Sequence, residues 1–290
     1  MKQWLYDNRY GLIVALVAAI ILLPFLGAVP LMDPDEPVYG ETAREMLAAG
    51  DWLSPRIFGN YWYDKPPFFY WLEMISYSLF GATDFASRLP SALAAMATTI
   101  YVYAAGRDIF NKPIAALSAL LLVTSFGFMY IGKAAVTDMT LVLTLTVAMM
   151  SFYRKKYYTA YLFCGLSLLV KGPVGYAFPA LIMLIYIAWT RQWTLLKEMK
   201  IPQGILLAFA VGLPWYVLMY KVHGEVFVDT FIGYHNLTRF AAPEHPGQNS
   251  LVFFIPVLLA AMMPWTIYLV PALRRLFKKR DPFRDALQFC

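Results

Sequence analysis

Long apolar runs constrain this chain more than any other feature of its sequence. The first run, GLIVALVAAIILLPFLGAVP at residues 11–30, carries no charge and is long enough to cross a bilayer, which takes roughly 20 mostly apolar residues. It exceeds the apolar part of a signal peptide, so we expect a retained anchor. The predicted spans are 11–30, 88–106, 113–131, 135–152, 157–171, 173–190, 203–221 and 251–273.

The composition agrees with an all-α integral membrane protein of about eight transmembrane helices. Hydrophobic residues make up 60% of the chain and charged residues 14%, which excludes a water-soluble or disordered protein. Two cysteines, Cys164 and Cys290, are too few for a disulfide scaffold. The sequence therefore predicts a helical membrane bundle.

Basic residues collect on one side of the predicted membrane. If the N-terminus is cytoplasmic and the spans alternate, the inner segments hold 16 of the 24 Lys and Arg residues and five of the 18 Asp and Glu residues. The inner loops of membrane proteins carry such an excess of positive charge. We therefore expect a multi-pass protein with a cytoplasmic N-terminus, and the net charge of +6 needs no nucleic-acid partner.

The first outer loop, residues 31–87, holds two segments that suit helices lying at the membrane surface. Residues 36–50 place four apolar side chains near one helical face, namely Val38, Ala43, Met46 and Leu47. Residues 66–80 are apolar but too short to span, and Glu73 lies in their middle. If residues 66–80 spanned the membrane, every later loop would change sides and the basic loops would face outward. Long ordered loops usually carry function.

Ionisable residues at the outer edge are candidates for chemistry, because a charge there is costly unless it faces a cavity or a partner. Asp33, Asp35 and Glu36 follow the first span and suit a general base, a metal ligand or a polar-substrate ligand. A solvated turn in which Asp35 caps a helix is the alternative. Lys65 precedes two stiff prolines and suits a phosphate, with an ordinary surface lysine as the alternative.

Further candidates lie in the later outer segments. Asp138 opens the fourth span, where it either caps the helix or faces the site. Lys171 lies on a Gly-Pro turn, either as an incidental lysine or as a second ligand of the site. Arg239 suits phosphate recognition through two hydrogen bonds. Asp64 and His235 are candidate metal ligands, although no C-x-x-C or H-E-x-x-H spacing is present.

Five motifs occur in a fixed order on the outer side. They are L-x-D-P-D-E-x-x-Y-x-E-x-x-R-E-M after the first span, Y-D-K-P-P-x-x-Y-W-L, T-D, K-G-P-V-G and Y-H-N-L-T-R-F. This order resembles the lipid A aminoarabinose transferase (ArnT) family, within the dolichyl-phosphate-mannose–protein mannosyltransferase group of bacterial membrane glycosyltransferases. The resemblance implies a GT-C type bundle, a single membrane-embedded catalytic unit over residues 1–290, and the absence of the family's C-terminal part.

The resemblance also implies roles for the candidate residues. Asp35 and Asp138 match the carboxylates that act in catalysis or position a substrate. The expected substrate ligands are Asp33, Glu36, Lys65, Lys171 and Arg239, with Lys65 matching the lysine that binds the carrier phosphate. Asp64 replaces the family's usual glutamate and His235 matches its histidine, so these two are the candidates for binding a divalent metal.

The implied activity is an inverting glycosyl transfer at the periplasmic face of a bacterial inner (plasma) membrane. The donor would be a hexose or pentose on a polyprenyl phosphate, and the acceptor lipid A, another glycolipid or a protein. Two alternatives stay open. The same charges would suit a lipid or polyprenyl-phosphate transporter or flippase, or the chain would be a non-catalytic truncated scaffold subunit.

Overall fold

Helices build nearly all of the structure, a computed structural model that describes residues 2–32, 34–239 and 251–276 together with 286 and 289. The first helices are α1 (Lys2–Leu22), α2 (Asp35–Ala49), α3 (Phe68–Phe80), α4 (Asp84–Ile109), α5 (Lys112–Val123), α6 (Phe126–Gly132) and α7 (Thr137–Tyr153). The later helices are α8 (Tyr157–Lys171), α9 (Pro173–Thr190), α10 (Leu195–Glu198), α11 (Ile201–His223), α12 (Glu225–Phe227), α13 (Leu251–Ala261) and α14 (Leu269–Leu276). The predicted all-α fold is confirmed.

Two irregular helices and a short hairpin accompany these α-helices in the described residues. A π-helix occupies Val228–Thr238, and a 3₁₀ helix occupies Trp265–Tyr268. The strands β1 (Arg56–Ile57) and β2 (Asn60–Tyr61) form an antiparallel hairpin, with Arg56 opposite Tyr61. These elements lie in segments that the sequence assigns to outer loops or to the last span.

Each predicted span contains helix, although not every helix is long enough to cross a membrane alone. By length and composition, α4, α9 and α11 qualify among the described residues. Two bent pairs, α5 with α6 and α13 with the segment after it, qualify when each pair is taken as one span. The helices make this a multi-pass membrane protein, and the count of eight spans stays a prediction.

Local chemistry explains where the apolar runs break. Helix α1 ends at Leu22, eight residues before the predicted limit, because Pro24 cannot continue a helix. Between α5 and α6, the Thr124 and Ser125 hydroxyls donate to the carbonyls of Leu120 and Leu121, at 2.6 and 2.7 Å. Such bonds compete with the helical ladder. The two helices are accordingly bent by 66°.

Helices α2 and α3 form a layer packed on the start of α4. Their shared core includes Ala43 and Met46 of α2 and Phe69, Tyr70 and Met74 of α3. The expected apolar face of residues 36–50 is therefore present. The buried face of α3 also contains a carboxyl group, since Glu73 is fully buried and accepts a hydrogen bond of 2.6 Å from Ser87 Oγ.

The hairpin region is attached to the bundle by side chains that reach backbone carbonyls. Trp215 of α11 donates to the carbonyl of Leu53 at 2.9 Å, and Trp71 of α3 donates to that of Trp52 at 2.6 Å. Behind this layer, α4 packs on α1, α5 and α7, while α8 packs on α7, α9 and α11. The outer loop is thus held at one end of the bundle.

Candidate active site

Asp64 is the centre of the most charged cluster in the described part of the chain. Its Oδ1 atom accepts hydrogen bonds from Lys65 Nζ at 2.9 Å and from Arg239 Nη1 at 3.2 Å. His235 Nδ1 lies 2.8 Å from the same oxygen. The cluster is mostly buried, because the side chains of Asp64 and His235 are 13% and 8% exposed. Three basic side chains thus share one carboxylate.

These contacts with basic side chains determine the ionisation of Asp64. Burial by itself would raise the pKa of the Asp64 carboxyl, because desolvation disfavours the charged form. The contacts with His235 and Lys65 outweigh burial and hold the pKa well below its ordinary value. The carboxylate is therefore ionised at every physiological pH.

These side chains come from two segments that are far apart in the sequence. Asp64 and Lys65 leave the hairpin just before Pro66 and Pro67, where α3 begins. His235 lies in the π-helix, which buries Phe231 against Trp215 and Tyr216 of α11. The π-helix thereby carries His235 to the end of the hairpin.

A second ion pair joins Asp138 and Lys171, whose Nζ atom donates to Oδ1 at 2.7 Å. Both side chains are partly open, with 45% of Asp138 and 30% of Lys171 exposed. Asp138 lies in the first turn of α7, whose N-cap residue is Val136. Asp138 is therefore not the N-cap residue itself, although its charge lies near the positive end of the helix dipole, as the cap alternative expects.

The turn after Lys171 brings this pair next to the π-helix. Gly172 has φ +76°, a left-handed conformation that favours glycine. A Cβ atom there would lie 3.2 Å from the Phe231 ring and 3.5 Å from Asn236 Oδ1. The turn and the π-helix are therefore packed closely, which accounts for glycine at this position.

Tyr39 is a buried residue of α2 that is not among the sequence-based candidates. Burial raises the pKa of the Tyr39 hydroxyl, and the negative charges of Asp64, Asp138 and Asp35 raise it further. Three candidate carboxylates thus act on one phenol. Tyr39 lies one helical turn after Asp35, a spacing that puts both on the same face of α2, and it is the tyrosine of the L-x-D-P-D-E-x-x-Y motif.

Asp35 and Glu36 lie in different environments although they are adjacent. Asp35 begins α2, is exposed and lines a cavity of about 460 Å³ with Lys133, Phe126 and Tyr130. Glu36 is buried, and both of its carboxylate oxygens accept hydrogen bonds from Arg88. Direct substrate binding by Glu36 stays a prediction. Asp33 lies outside the described residues.

The match to known proteins identifies the family. A sequence profile of the family described as "Dolichyl-phosphate-mannose-protein mannosyltransferase" matches residues 64–218, more than half of the chain. The chain belongs to this mannosyltransferase family. The matched region begins at Asp64 and includes Asp138 and Lys171, whereas α2 and the π-helix lie outside it.

The curated relatives of this chain include aminoarabinose transferases. An "Undecaprenyl phosphate-alpha-4-amino-4-deoxy-L-arabinose arabinosyl transferase" of Edwardsiella ictaluri is 31% identical over 91% of this chain and 50% of its own length. The chain thus spans about half the length of the curated relatives it matches.

Solved structures agree with the family's fold. ArnT from Cupriavidus metallidurans, crystallised bound to undecaprenyl phosphate, superposes with a TM-score of 0.88 at 25% identity, covering 97% of this chain and 53% of ArnT. An Archaeoglobus fulgidus oligosaccharyltransferase, crystallised with Zn and sulfate, gives a TM-score of 0.60 at 17% identity over 96% of this chain and 44% of its own length. The expected ArnT-like, GT-C type fold is confirmed.

The side chains around Asp64 do not suit a metal ion. Protein zinc sites use three or four ligands, but no three His, Cys, Asp or Glu side chains gather within the described ranges. Asp64 and His235 are neighbours, yet Lys65 and Arg239 bond to the same Asp64 oxygen. A metal ion would meet two positive charges there. Metal binding by this pair stays a prediction that the donor set does not support.

Proposed function

We propose that this chain forms the catalytic bundle of a membrane glycosyltransferase. It would move a hexose or pentose from a polyprenyl-phosphate donor to lipid A, another glycolipid or a protein, at the periplasmic face of a bacterial inner membrane. The observation that carries the proposal is the cluster of Lys65, His235 and Arg239 around Asp64. Family membership and the likeness to an ArnT bound to undecaprenyl phosphate support it.

Basic groups beside a carboxylate can exchange that carboxylate for a phosphate. Arginine binds phosphate oxygens through paired N–H groups, and lysine offers a compact positive charge. In this proposal the donor phosphate contacts Lys65 and Arg239, with Lys171 at the neighbouring ion pair. The same cations stabilise the negative charge that the phosphate gains when it leaves the sugar.

The proposed reaction is a direct displacement at the anomeric carbon. An acceptor oxygen forms a bond to that carbon as the bond to the phosphate oxygen breaks, and polyprenyl phosphate leaves with both electrons of the broken bond. Attack opposite the leaving group inverts the configuration. Asp35 and Asp138 position the acceptor and take its proton if it is a hydroxyl. An anionic phosphate acceptor needs no base.

The partial exposure of Asp138 fits this role. Its partner Lys171 balances the negative charge of the carboxylate. A donor phosphate that attracts Lys171 would leave the carboxylate with less positive charge beside it. The carboxylate would then be able to contact the acceptor.

A lipid flippase is the second candidate, and the two bent helix pairs favour it because transporters use broken helices. A flippase moves labelled donor lipid between leaflets without consuming it. A transferase instead transfers the sugar label to another molecule, so the fate of the label separates the two functions.

The test is transfer of radiolabelled sugar from a polyprenyl-phosphate pool to outer-leaflet lipids and proteins. We expect Asp35→Asn and Lys65→Ala to abolish transfer at normal protein levels. Their matched controls are Asp108→Asn and Lys155→Ala, two exposed ion-pair residues remote from the site, which should retain it. Equal labelling by wild type and both site variants, or none by wild type, would overturn the proposed function.

A further inference from the structure

Arg88 and Glu36 form a buried ion pair that the proposed reaction does not use. The Arg88 Nε and Nη2 atoms donate to Glu36 Oε1 and Oε2, at 2.8 and 2.7 Å. Their side chains are 5% and 7% exposed. Paired hydrogen bonds between a guanidinium and a carboxylate fix orientation as well as distance. The pair is therefore a rigid connection between the starts of α4 and α2.

The other donors of Arg88 hold the segment that follows α1. Arg88 Nη1 donates to the carbonyls of Leu26 and Val29, both at 2.7 Å, and Nη2 donates to that of Pro30 at 2.9 Å. These carbonyls belong to no helix or strand. One arginine thus fixes the path of the chain toward Asp35.

The remaining bonds of Glu36 reach a third segment. Its Oε2 atom accepts from the amide of Met32 at 2.8 Å, and its Oε1 atom accepts from the amide of Ala135 at 2.7 Å. Ala135 lies two residues before α7, which carries Asp138 in its first turn. The carboxylate of Glu36 therefore joins the approach to α2 with the approach to α7.

We propose that Arg88 and Glu36 are positioning residues of the transferase, which hold Asp35 and Asp138 at a fixed separation. Asp35 is the chain neighbour of Glu36, and Asp138 follows Ala135 by three residues. This inference rests on the proposed function and gives Glu36 a role other than substrate binding. Loss of the clamp, defined as Arg88, Glu36 and their hydrogen bonds, lets the two carboxylates move independently.

The kinetic test compares Glu36→Gln and Arg88→Lys with wild type. A displacement of 1 Å in a reacting geometry can lower the rate about 100-fold, so we expect kcat per folded molecule to fall roughly 10- to 100-fold. The KM for the polyprenyl-phosphate donor should change less than about threefold, because Lys65 and Arg239 are untouched. A raised donor KM at unchanged kcat would mean that Glu36 binds substrate, and would overturn the inference.

A matched control separates positioning from general destabilisation. Tyr103 is buried near the opposite end of α4 from Arg88, where it packs in a separate cluster with Val14 of α1 and with α5. Tyr103→Ala should lower Tm at least as much as Glu36→Gln while leaving kcat per folded molecule near the wild-type value. If both variants lose activity only in proportion to their loss of folded protein, the clamp is merely structural and the inference fails.

Hydrogen exchange tests the clamp without any turnover. We expect amide exchange in residues 26–36 and 133–138 to quicken at least tenfold in Glu36→Gln, while exchange in α8 and α11 stays unchanged. Unchanged exchange in both segments would overturn the inference. Absence of transfer by wild type would count against the proposed function instead, and the exchange measurement would still decide whether the clamp exists.

Discussion

Asp64 meets three basic side chains at one oxygen atom, and this contact sets both its charge and its part in folding. Its pKa lies well below the ordinary value, so the ionised form is favoured in the folded protein. A carboxyl whose pKa falls on folding adds stability above its unfolded pKa, which is about 4. That stability is lost as the pH falls toward the lower folded pKa.

Replacing Asp64 should therefore change the acid sensitivity of the protein. We expect wild-type Tm in detergent to fall as the pH drops from about 5 to about 3, and the fall to be shallower in Asp64→Asn. Thermal unfolding across this range is the measurement. A parallel shift of Asp64→Asn at every pH would contradict the prediction.

Glu73 shows the opposite behaviour at the same scale. Complete burial raises the pKa of its carboxyl well above the ordinary value and outweighs the hydrogen bond from Ser87, which lowers it. The neutral, protonated carboxyl is therefore favoured in the folded protein. Stability linked to this group is complete below the unfolded pKa of about 4.3 and is lost as the pH rises toward the folded pKa.

Replacing Glu73 with a neutral residue should remove the loss of stability that occurs as the pH rises. We expect Glu73→Gln to gain stability relative to wild type as the pH rises from about 5 to about 8, because glutamine cannot ionise. Chemical denaturation at several pH values measures the difference. Glu41→Gln is the control, since the pKa of Glu41 is lowered by its bond to Arg44 and its variant should show no such gain. A constant difference between Glu73→Gln and wild type would contradict the assignment.

At the scale of elements, α8 and α11 approach each other through small residues. A Cβ atom on Gly165 of α8 would lie 2.6 Å from the backbone oxygen of Ala208, closer than atoms of this kind can approach. On α11, Gly204, Ala208 and Gly212 recur every four residues and are buried. Such small residues let membrane helices pack backbone to backbone.

Adding one methyl group should therefore separate these helices. We expect Gly165→Ala to lower the free energy of unfolding by about 1–3 kcal/mol, because backbone has to move to admit it. Thermal or denaturant unfolding in detergent gives the value. Gly233→Ala is the control, since a Cβ atom there meets nothing within 4 Å, and it should change stability little. Equal stability of the two variants would mean that the helix contact is looser than described.

At the scale of the whole molecule, the charge distribution makes a prediction about orientation. The basic segment 154–156 should face the cytoplasm and the hairpin residue Asn60 the periplasm. We expect a membrane-impermeant maleimide to label Asn60→Cys in intact spheroplasts and Lys156→Cys only after lysis. Both positions are exposed, and the native Cys164 is buried. Cys290→Ser removes the other thiol, and labelling of Lys156→Cys in intact spheroplasts would reverse the topology.

Parts of the candidate site can be predicted from the sequence because its motifs are local. Lys65 and Asp64 are adjacent, and the two prolines after them mark the start of α3. The pairing of Asp138 with Lys171 was not visible, because it joins residues 33 positions apart. The role of Arg88 is not predictable either, because an arginine at the edge of a predicted span has the pattern of an ordinary surface charge.

The class of this protein follows from local patterns in its sequence. Runs of apolar residues dictate helices in a membrane, because a bilayer leaves backbone groups no other hydrogen-bond partners, and loop charges dictate which side each turn prefers. The contacts between charged residues are set instead by the packing of the folded chain. Arg239 reaches Asp64 across 175 positions, and Arg88 reaches Glu36 across 52. Such contacts depend on how whole helices pack, which no local pattern records.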